Sequence, residues 1–225
     1  MYFDYSEKEI NALKQKDEKL EVAISRIGKI NRRIRPDLFS AIIYSITGQQ
    51  ISMKAHKTIW ERFEIKVLTT CQSSEMSPKN ICMLSQEEIQ SCGMSMRKAN
   101  YILDFSQKVH KNHFNIHVLQ NMTDEDLIKE LCTLKGIGAW TAEMIMIFSM
   151  QRPNILSFGD LAIIRGLRML YQKKEITKED FLYYKQKFSP YATIASFYLW
   201  EIAGGAIPEL IDPAPPKIKA IKNKK

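Results

Sequence analysis

The sequence predicts an all-α protein. Three observations carry that prediction. Apolar residues recur at helical intervals through most of the chain. The segments open on capping residues or proline and close near glycine or polar loops. No set of alternating apolar and polar stretches of strand length is found. With 225 residues, 45% of them hydrophobic, the chain can bury a sizeable core.

The elements follow in order. "SEKEINALKQKDEKLEVAISRIG" places Ile10, Leu13, Leu20, Ile24 and Ile27 at helical spacing and predicts one helix ending near Gly28. Pro36 opens "PDLFSAIIYSITGQQIS", apolar from Leu38 to Ile46. "MKAHKTIWERFEIKV" continues as helix, and Thr69 to Pro78 read as a polar loop. "SQEEIQSC" and "MRKANYILDFSQKVH" are two further helices, broken at Gly93. "TDEDLIKELCTL" begins with Thr123, a good cap, and has acids in its first turn. "AWTAEMIMIFSM" is an apolar helix, Asp160 starts "DLAIIRGLRMLY", and a last amphipathic helix covers Tyr191 to Ala203.

The formal net charge is +8, but "KIKAIKNKK" at the end holds five lysines and no acid. The rest of the chain is only mildly basic, so charge permits nucleic-acid binding without establishing it. "PAPPKIKAIKNKK" reads as a disordered basic tail. No apolar run reaches the roughly 20 residues of a membrane span. The start "MYFDYSEKEI" has no signal-peptide pattern. Both point to an intracellular protein. Cys71, Cys82, Cys92 and Cys132 lie far apart and form neither a Cys-x-x-Cys pair nor an iron–sulfur spacing. They read as free thiols.

One stretch asks for more than a fold. In "LKGIGAWTA" (Leu134 to Ala142), Gly136 and Gly138 lie between the end of one helix and the start of the next. Glycine reaches positive φ without a side-chain clash and leaves backbone N–H groups uncovered. The first N–H groups of a helix lack internal partners and sit at the positive end of its dipole, which makes an anion site. On its own a Gly-x-Gly is an ordinary turn between helices.

The neighbouring motifs turn that reading toward function. "LKGIGAWTA" resembles the helix–hairpin–helix of the HhH-GPD DNA glycosylase superfamily. "NILSFGDLAIIRGLRMLY" resembles the segment carrying that superfamily's catalytic aspartate, which maps to Asp160. "SAIIYSITGQQIS" resembles the wedge region, "CGMSMRKANYILDFSQKV" the helix pair after it, and "ASFYLWEIAGG" the late helix that supplies a pocket aromatic. The resemblance runs from about Asp37 to Gly205. It is closest to 3-methyladenine DNA glycosylase II, the alkylpurine type, without the extra N-terminal β domain of the longest bacterial members.

The resemblance implies two helical subdomains with a DNA-binding cleft between them. Residues 1–35 would pack with the C-terminal subdomain. Residues 36–150 would form a central subdomain ending in the hairpin, 151–212 a C-terminal subdomain with the aspartate, and 213–225 the tail. It implies hydrolytic removal of alkylated purines from damaged double-stranded DNA by a monomer. In a bacterium the protein would be cytoplasmic or in the nucleoid. The alternatives are a non-catalytic helix–hairpin–helix DNA-binding protein and a bifunctional glycosylase/lyase for oxidised bases.

Residue by residue, Asp160 would stabilise the cationic sugar of the transition state; apart from the resemblance it is a plain helix cap. Gln50, with Gln49 beside it, would be the wedge that fills the gap of a flipped nucleotide; otherwise both are polar surface. Trp140, Met144 and Trp200 would line the base pocket, where an indole face attracts a cationic purine; otherwise the tryptophans are core. Met144 departs from the pattern, since the bacterial alkylpurine enzyme has an aromatic there. Leu134, Gly136, Ile137, Gly138 and Thr141 would bind a DNA phosphate. Trp140 stands where bifunctional relatives carry their Schiff-base lysine, and Lys135 does not match that position. Arg97, Lys98, Arg165 and Arg168 are phosphate contacts or solvated charges. No redox cofactor or catalytic metal is implied. A monovalent cation can accompany the hairpin carbonyls in relatives, and the absence of cysteine after Cys132 excludes the iron–sulfur cluster of others.

Overall fold

The computed structural model describes residues 1–214. The predicted basic tail from residue 215 onward, with its five lysines, lies outside the described residues. The described chain is helical apart from an isolated bridge between Tyr2 and Arg33. Its helices are α1 (Glu7–Lys16), α2 (Glu18–Ile27), α3 (Leu38–Gly48), α4 (Met53–Thr70), α5 (Pro78–Ile81), α6 (Gln86–Gln90) and α7 (Met96–His110). A 3-10 turn at Ile116–Asn121 precedes α8 (Asp124–Cys132), α9 (Ala139–Phe148), α10 (Leu161–Tyr171), α11 (Lys178–Phe188) and α12 (Ala192–Ala203).

The single helix expected from Ser6 to Gly28 is two. Asp17 ends α1 in extended conformation and its side chain accepts from the Leu20 N–H (2.8 Å), capping α2. An aspartate that caps a new turn competes with continuation of the old one, and the apolar period ran across the break. The loop expected from Thr69 to Pro78 is shortened on both sides by α4 and by α5, which starts on Pro78. α11 falls on a stretch without an assignment from sequence. Its marker is a capping box, Thr177 with Asp180 three residues on.

The chain divides into two compact units, Met1–Phe3 with Arg33–Gln151, and Asp4–Arg32 with the chain from Arg152 onward. In the first, α3 is the central helix. Phe39, Ala41, Ile42, Ile43 and Ile46 are all buried, and α4, α7 and α9 pack around it. Asp37 caps it through the Ser40 N–H (2.9 Å). Just before it, the Arg35 N–H donates to the Phe148 carbonyl (2.7 Å) and the Arg35 guanidinium lies 4.1 Å from the Tyr44 ring centroid and 4.7 Å from that of Trp60. These contacts fix how α3 enters the core.

In the second unit α12 holds the centre, with Phe197, Tyr198, Leu199 and Ile202 fully buried. α1, α2, α10 and α11 all pack on it. The approach of α10 is close: a β-carbon on Gly166 would collide with the Leu199 carbonyl. Arg168 on α10 makes two bonds to the Asp212 carboxylate (2.9 and 2.6 Å), so the segment after α12 is tied back to α10.

Asp17 binds three elements of this unit. Besides capping α2 it accepts from the Tyr171 hydroxyl at the end of α10 (2.8 Å) and from the Lys187 ammonium on α11 (2.5 Å). Burial alone would raise its pKa, but the bonds from Lys187, the Leu20 N–H and Tyr171 outweigh it and hold the carboxyl below its ordinary value. A depressed carboxyl pKa gives stability that is complete above the unfolded pKa and is lost as pH falls through the folded one. Asp17→Asn is therefore expected to lower stability by about 2 kcal/mol at neutral pH. The gap should close as pH falls below about 4. Urea titrations of both proteins across that range check it; a gap independent of pH would contradict the assignment.

Candidate active site

The hairpin is built from α8, the turn of residues 133–138 and α9. Thr123 caps α8 through the Asp126 N–H (3.2 Å). The turn is closed by the Ile137 N–H donating to the Leu134 carbonyl (3.1 Å). The two glycines have different reasons. Gly136 takes φ +86°, and a β-carbon there would also strike the Tyr101 ring. Gly138 is extended at φ −104° with open space around it. Its contribution is what it omits: α9 begins without a side-chain cap. The start of α9, the positive end of its dipole, thus lacks the side-chain bond that a capping residue would supply. Leu134 and Ile137 are buried and anchor the turn; Thr141 is buried one turn into α9. Lys135, the cation before the glycines, bonds Asp104 on α7 (2.6 Å), which also holds Lys108 (3.1 Å).

Trp140 lies on the first turn of α9 and is 46% exposed, so it is not a core residue. Met144 follows one turn later on the same face and is half-buried. Between α3 and α4 the two glutamines diverge. Gln50 is exposed and sits at φ +57°, the left-handed region. Gln49 is half-buried, and its amide donates to the Gly136 carbonyl in the hairpin turn (2.7 Å). Of the expected wedge pair, then, only Gln50 is presented to solvent in this way. Lys98, weighed as a phosphate contact, donates to the Thr47 and Gln49 carbonyls (2.9 and 2.7 Å). Burial, with Arg97 beside it, lowers its pKa. Arg97 is exposed.

The second unit carries Asp160 and Trp200. Asp160 is the N-cap of α10 and is 7% exposed. One carboxylate oxygen, Oδ1, accepts from both the Ala162 and Ile163 N–H groups (2.9 and 3.0 Å), which fixes the orientation of the group. Capping and a charged role are thus compatible in one residue. Trp200 is half-buried, stacked near Phe197 (centroids 6.0 Å apart), with the Arg32 guanidinium 5.8 Å from its ring. Arg32 in turn bonds Glu201 (2.6 Å). Arg165 and Arg168 both face Asp212, which accounts for their charge inside the fold.

Two residues beside Asp160 were absent from the sequence reading. Phe158 is 48% exposed, edge-on to Phe181, and Leu161 is 76% exposed. The signal for Leu161 was available: it falls off the buried stripe of Ile163, Leu167 and Leu170. Among the described residues no group of His, Cys, Asp or Glu could hold a metal ion. No described helix is long and apolar enough to cross a membrane.

Comparison with known proteins bears on the family and the fold. Residues 43–189 match the HhH-GPD superfamily base excision DNA repair protein family. The crystal structure of a DNA-3-methyladenine glycosidase from Bacillus halodurans is 32% identical, with a TM-score of 0.78 over 91% of this chain and 93% of the other. The Schizosaccharomyces pombe 3-methyladenine DNA glycosylase Mag1, solved in complex with abasic DNA, is 28% identical, with a TM-score of 0.71 over 88% of this chain and 97% of the other. YfjP of Bacillus subtilis is 28% identical over 169 residues, 72% of this chain; the match spans 58% of that protein's length. The chain belongs to the HhH-GPD superfamily of base excision DNA repair proteins.

The two glycines make a testable pair. Gly136→Ala, strained in φ and crowded by Tyr101, is expected to lose about 2 kcal/mol or more. Gly138→Ala, extended and open, should lose less than about 1 kcal/mol. Urea denaturation of the two variants measures both, and equal losses would contradict the distinction.

Proposed function

We propose that the chain is a monofunctional DNA glycosylase that flips alkylated purines of the 3-methyladenine type out of duplex DNA and hydrolyses the N-glycosidic bond, leaving an abasic site. The observation that carries the reading is Asp160: a buried carboxylate aimed by two backbone N–H donors at a helix N-terminus. The similarity to 3-methyladenine DNA glycosylases, one of them solved with abasic DNA, supports the substrate class.

The chemistry asks little beyond that carboxylate. A purine methylated at N3 is cationic and leaves as a neutral base, taking the electron pair of the broken C1′–N bond. Positive charge builds on the sugar as the bond stretches, and a fixed anion beside it lowers the barrier. Water then bonds to C1′ and its proton passes through the Asp160 carboxylate to solvent. No redox step occurs and the cationic base leaves as a neutral molecule, so the step as proposed calls on neither a redox cofactor nor a Lewis-acid metal.

The other residues take roles around that step. The uncapped start of α9, with Gly136, Ile137, Gly138 and Thr141, receives a phosphate of the double-stranded partner. Gln50 enters the stack in place of the flipped nucleotide, whose extrusion costs about a few kcal/mol. Trp140, Met144 and Trp200 take the base-contact roles that the resemblance implies, the indole faces of the two tryptophans favouring a cation. A monovalent cation at the hairpin would rest on turn carbonyls; those of Gly136 and Leu134 each keep a second lone pair beside their bonds to the Gln49 amide and the Ile137 N–H. With tryptophan rather than lysine at position 140 no Schiff base forms there. The enzyme acts as a monomer wherever the cell keeps its DNA.

Asp160→Asn isolates the charge, because asparagine caps a helix as well as aspartate does. The variant is expected to melt like wild type and bind duplex DNA, yet release base at least about 10²-fold more slowly. Free-base release from methylated duplex DNA, read by mass spectrometry, decides it. Equal rates would remove Asp160 from the chemistry. Release by neither protein would favour a binding module, and an adduct trapped by borohydride would favour a lyase.

A further inference from the structure

The turn from Thr47 to Ser52 is held from several sides. Lys98 reaches from α7 with its ammonium on the carbonyls of Thr47 (2.9 Å) and Gln49 (2.7 Å). The Thr47 carbonyl is among the last of α3, the negative end of its dipole, where a cation is favoured, and Gln49 is the extended residue that ends the helix. The Thr47 hydroxyl bonds the Tyr44 carbonyl (2.7 Å) and lies 3.0 Å from Nε2 of buried His56. The Gln49 amide holds the Gly136 carbonyl (2.7 Å). Immediately after, Ser52 caps α4 through the Ala55 N–H (3.3 Å). Only Gln50 and Ile51 span the interval between these fixed points.

Gln50 is the residue that needs such a frame. Its φ of +57° is disfavoured for any side chain with a β-carbon. The carbonyl that Lys98 grips belongs to the Gln49–Gln50 peptide, the plane about which that φ is set. With the plane released, Gln50 would relax toward the ordinary negative φ region and its side chain would leave its present direction. The Gln49 amide adds a second consequence. It makes the α3–α4 turn and the hairpin turn parts of one hydrogen-bonded assembly within the first unit.

We propose that Lys98 and Gln49 are positioning residues for Gln50, presetting the α3–α4 turn and coupling it to the hairpin turn at Gly136. The inference rests on the reading of Gln50 as the residue that fills the vacated stack. Neither positioning residue touches the base. Each acts by removing the ordering that a loose loop would undergo during insertion.

A double-mutant cycle tests this, because a residue that acts through Gln50 has no effect once Gln50 is gone. Lys98→Met and Gln49→Met are each made alone and together with Gln50→Ala. Thermal melting selects variants that fold, and the two substitutions serve as independent probes. The first readout is the single-turnover rate of base release from a duplex carrying a methylated purine. The second is the fluorescence of 2-aminopurine beside an uncleavable abasic analogue, which reports unstacking without catalysis.

Gln50→Ala and Lys98→Met are each expected to slow release about tenfold and to lower the fluorescence gain, and the double variant should match Gln50→Ala alone. If Lys98→Met and Gln49→Met multiply with Gln50→Ala, the positioning role is overturned while the wedge role stands. If Gln50→Ala is silent in a wild type that releases base, the wedge reading falls and the inference with it.

Discussion

A helix that is apolar on every side is stable only when other helices cover it. Among the described helices α3, α9 and α12 come nearest to that kind; α12, expected to be amphipathic, is instead buried along nearly its whole length, and the fold gathers around α3 and α12. Around α3 gather α4, α7 and α9; around α12 gather α1, α2, α10 and α11. Those contacts decide where helix ends fall, and the candidate residues sit at helix ends. Gln49 and Gln50 follow the last turn of α3. Asp160 starts α10, whose depth against α12 is set by the contact of Gly166 with the Leu199 backbone. The hairpin turn ends where α9, packed on α3, begins.

Helix termini therefore do two kinds of work here. Most are closed by side chains: Ser6, Asp17, Asp37, Ser52, Ser85, Ser95, Thr123 and Thr177 all accept from N–H groups of the turn they start. The starts of α9 and α12 lack such a bond, and at α9 the cap residue is a glycine. Asp160 does close its helix, but it places a whole negative charge there, in a nearly buried position. An end left open suits an anion from outside; an end closed by a buried carboxylate suits a developing cation. The proposed function gives these two helix ends opposite electrostatic tasks.

The sequence made much of this legible and left specific parts hidden. The all-α class was visible because helical periodicity is local, and the apolar run from Leu38 to Ile46 marked α3 directly. The break at Asp17 was not visible: the apolar period continues through it, and only the capping geometry and the long-range bonds to Tyr171 and Lys187 show why the chain turns there. In the candidate site, "LKGIGAWTA" and the aspartate of "SFGDLAI" could be picked out because they are short local strings. The grip of Lys98 on the α3–α4 turn could not, since it joins residues about 50 apart. Gln49 bonds across a still longer separation. The resemblance placed Gln50, with Gln49 beside it, at the wedge; tertiary contacts separate the two.

The central claim is hydrolysis of a glycosidic bond without strand cleavage, and product masses address it most directly. The wild-type protein would be incubated with a duplex carrying one N-methylated purine, and both the released base and the remaining strand weighed. The account predicts one free methylpurine for each uncut strand bearing an abasic site. A cleaved strand, or a lesion left attached to its sugar, would contradict it.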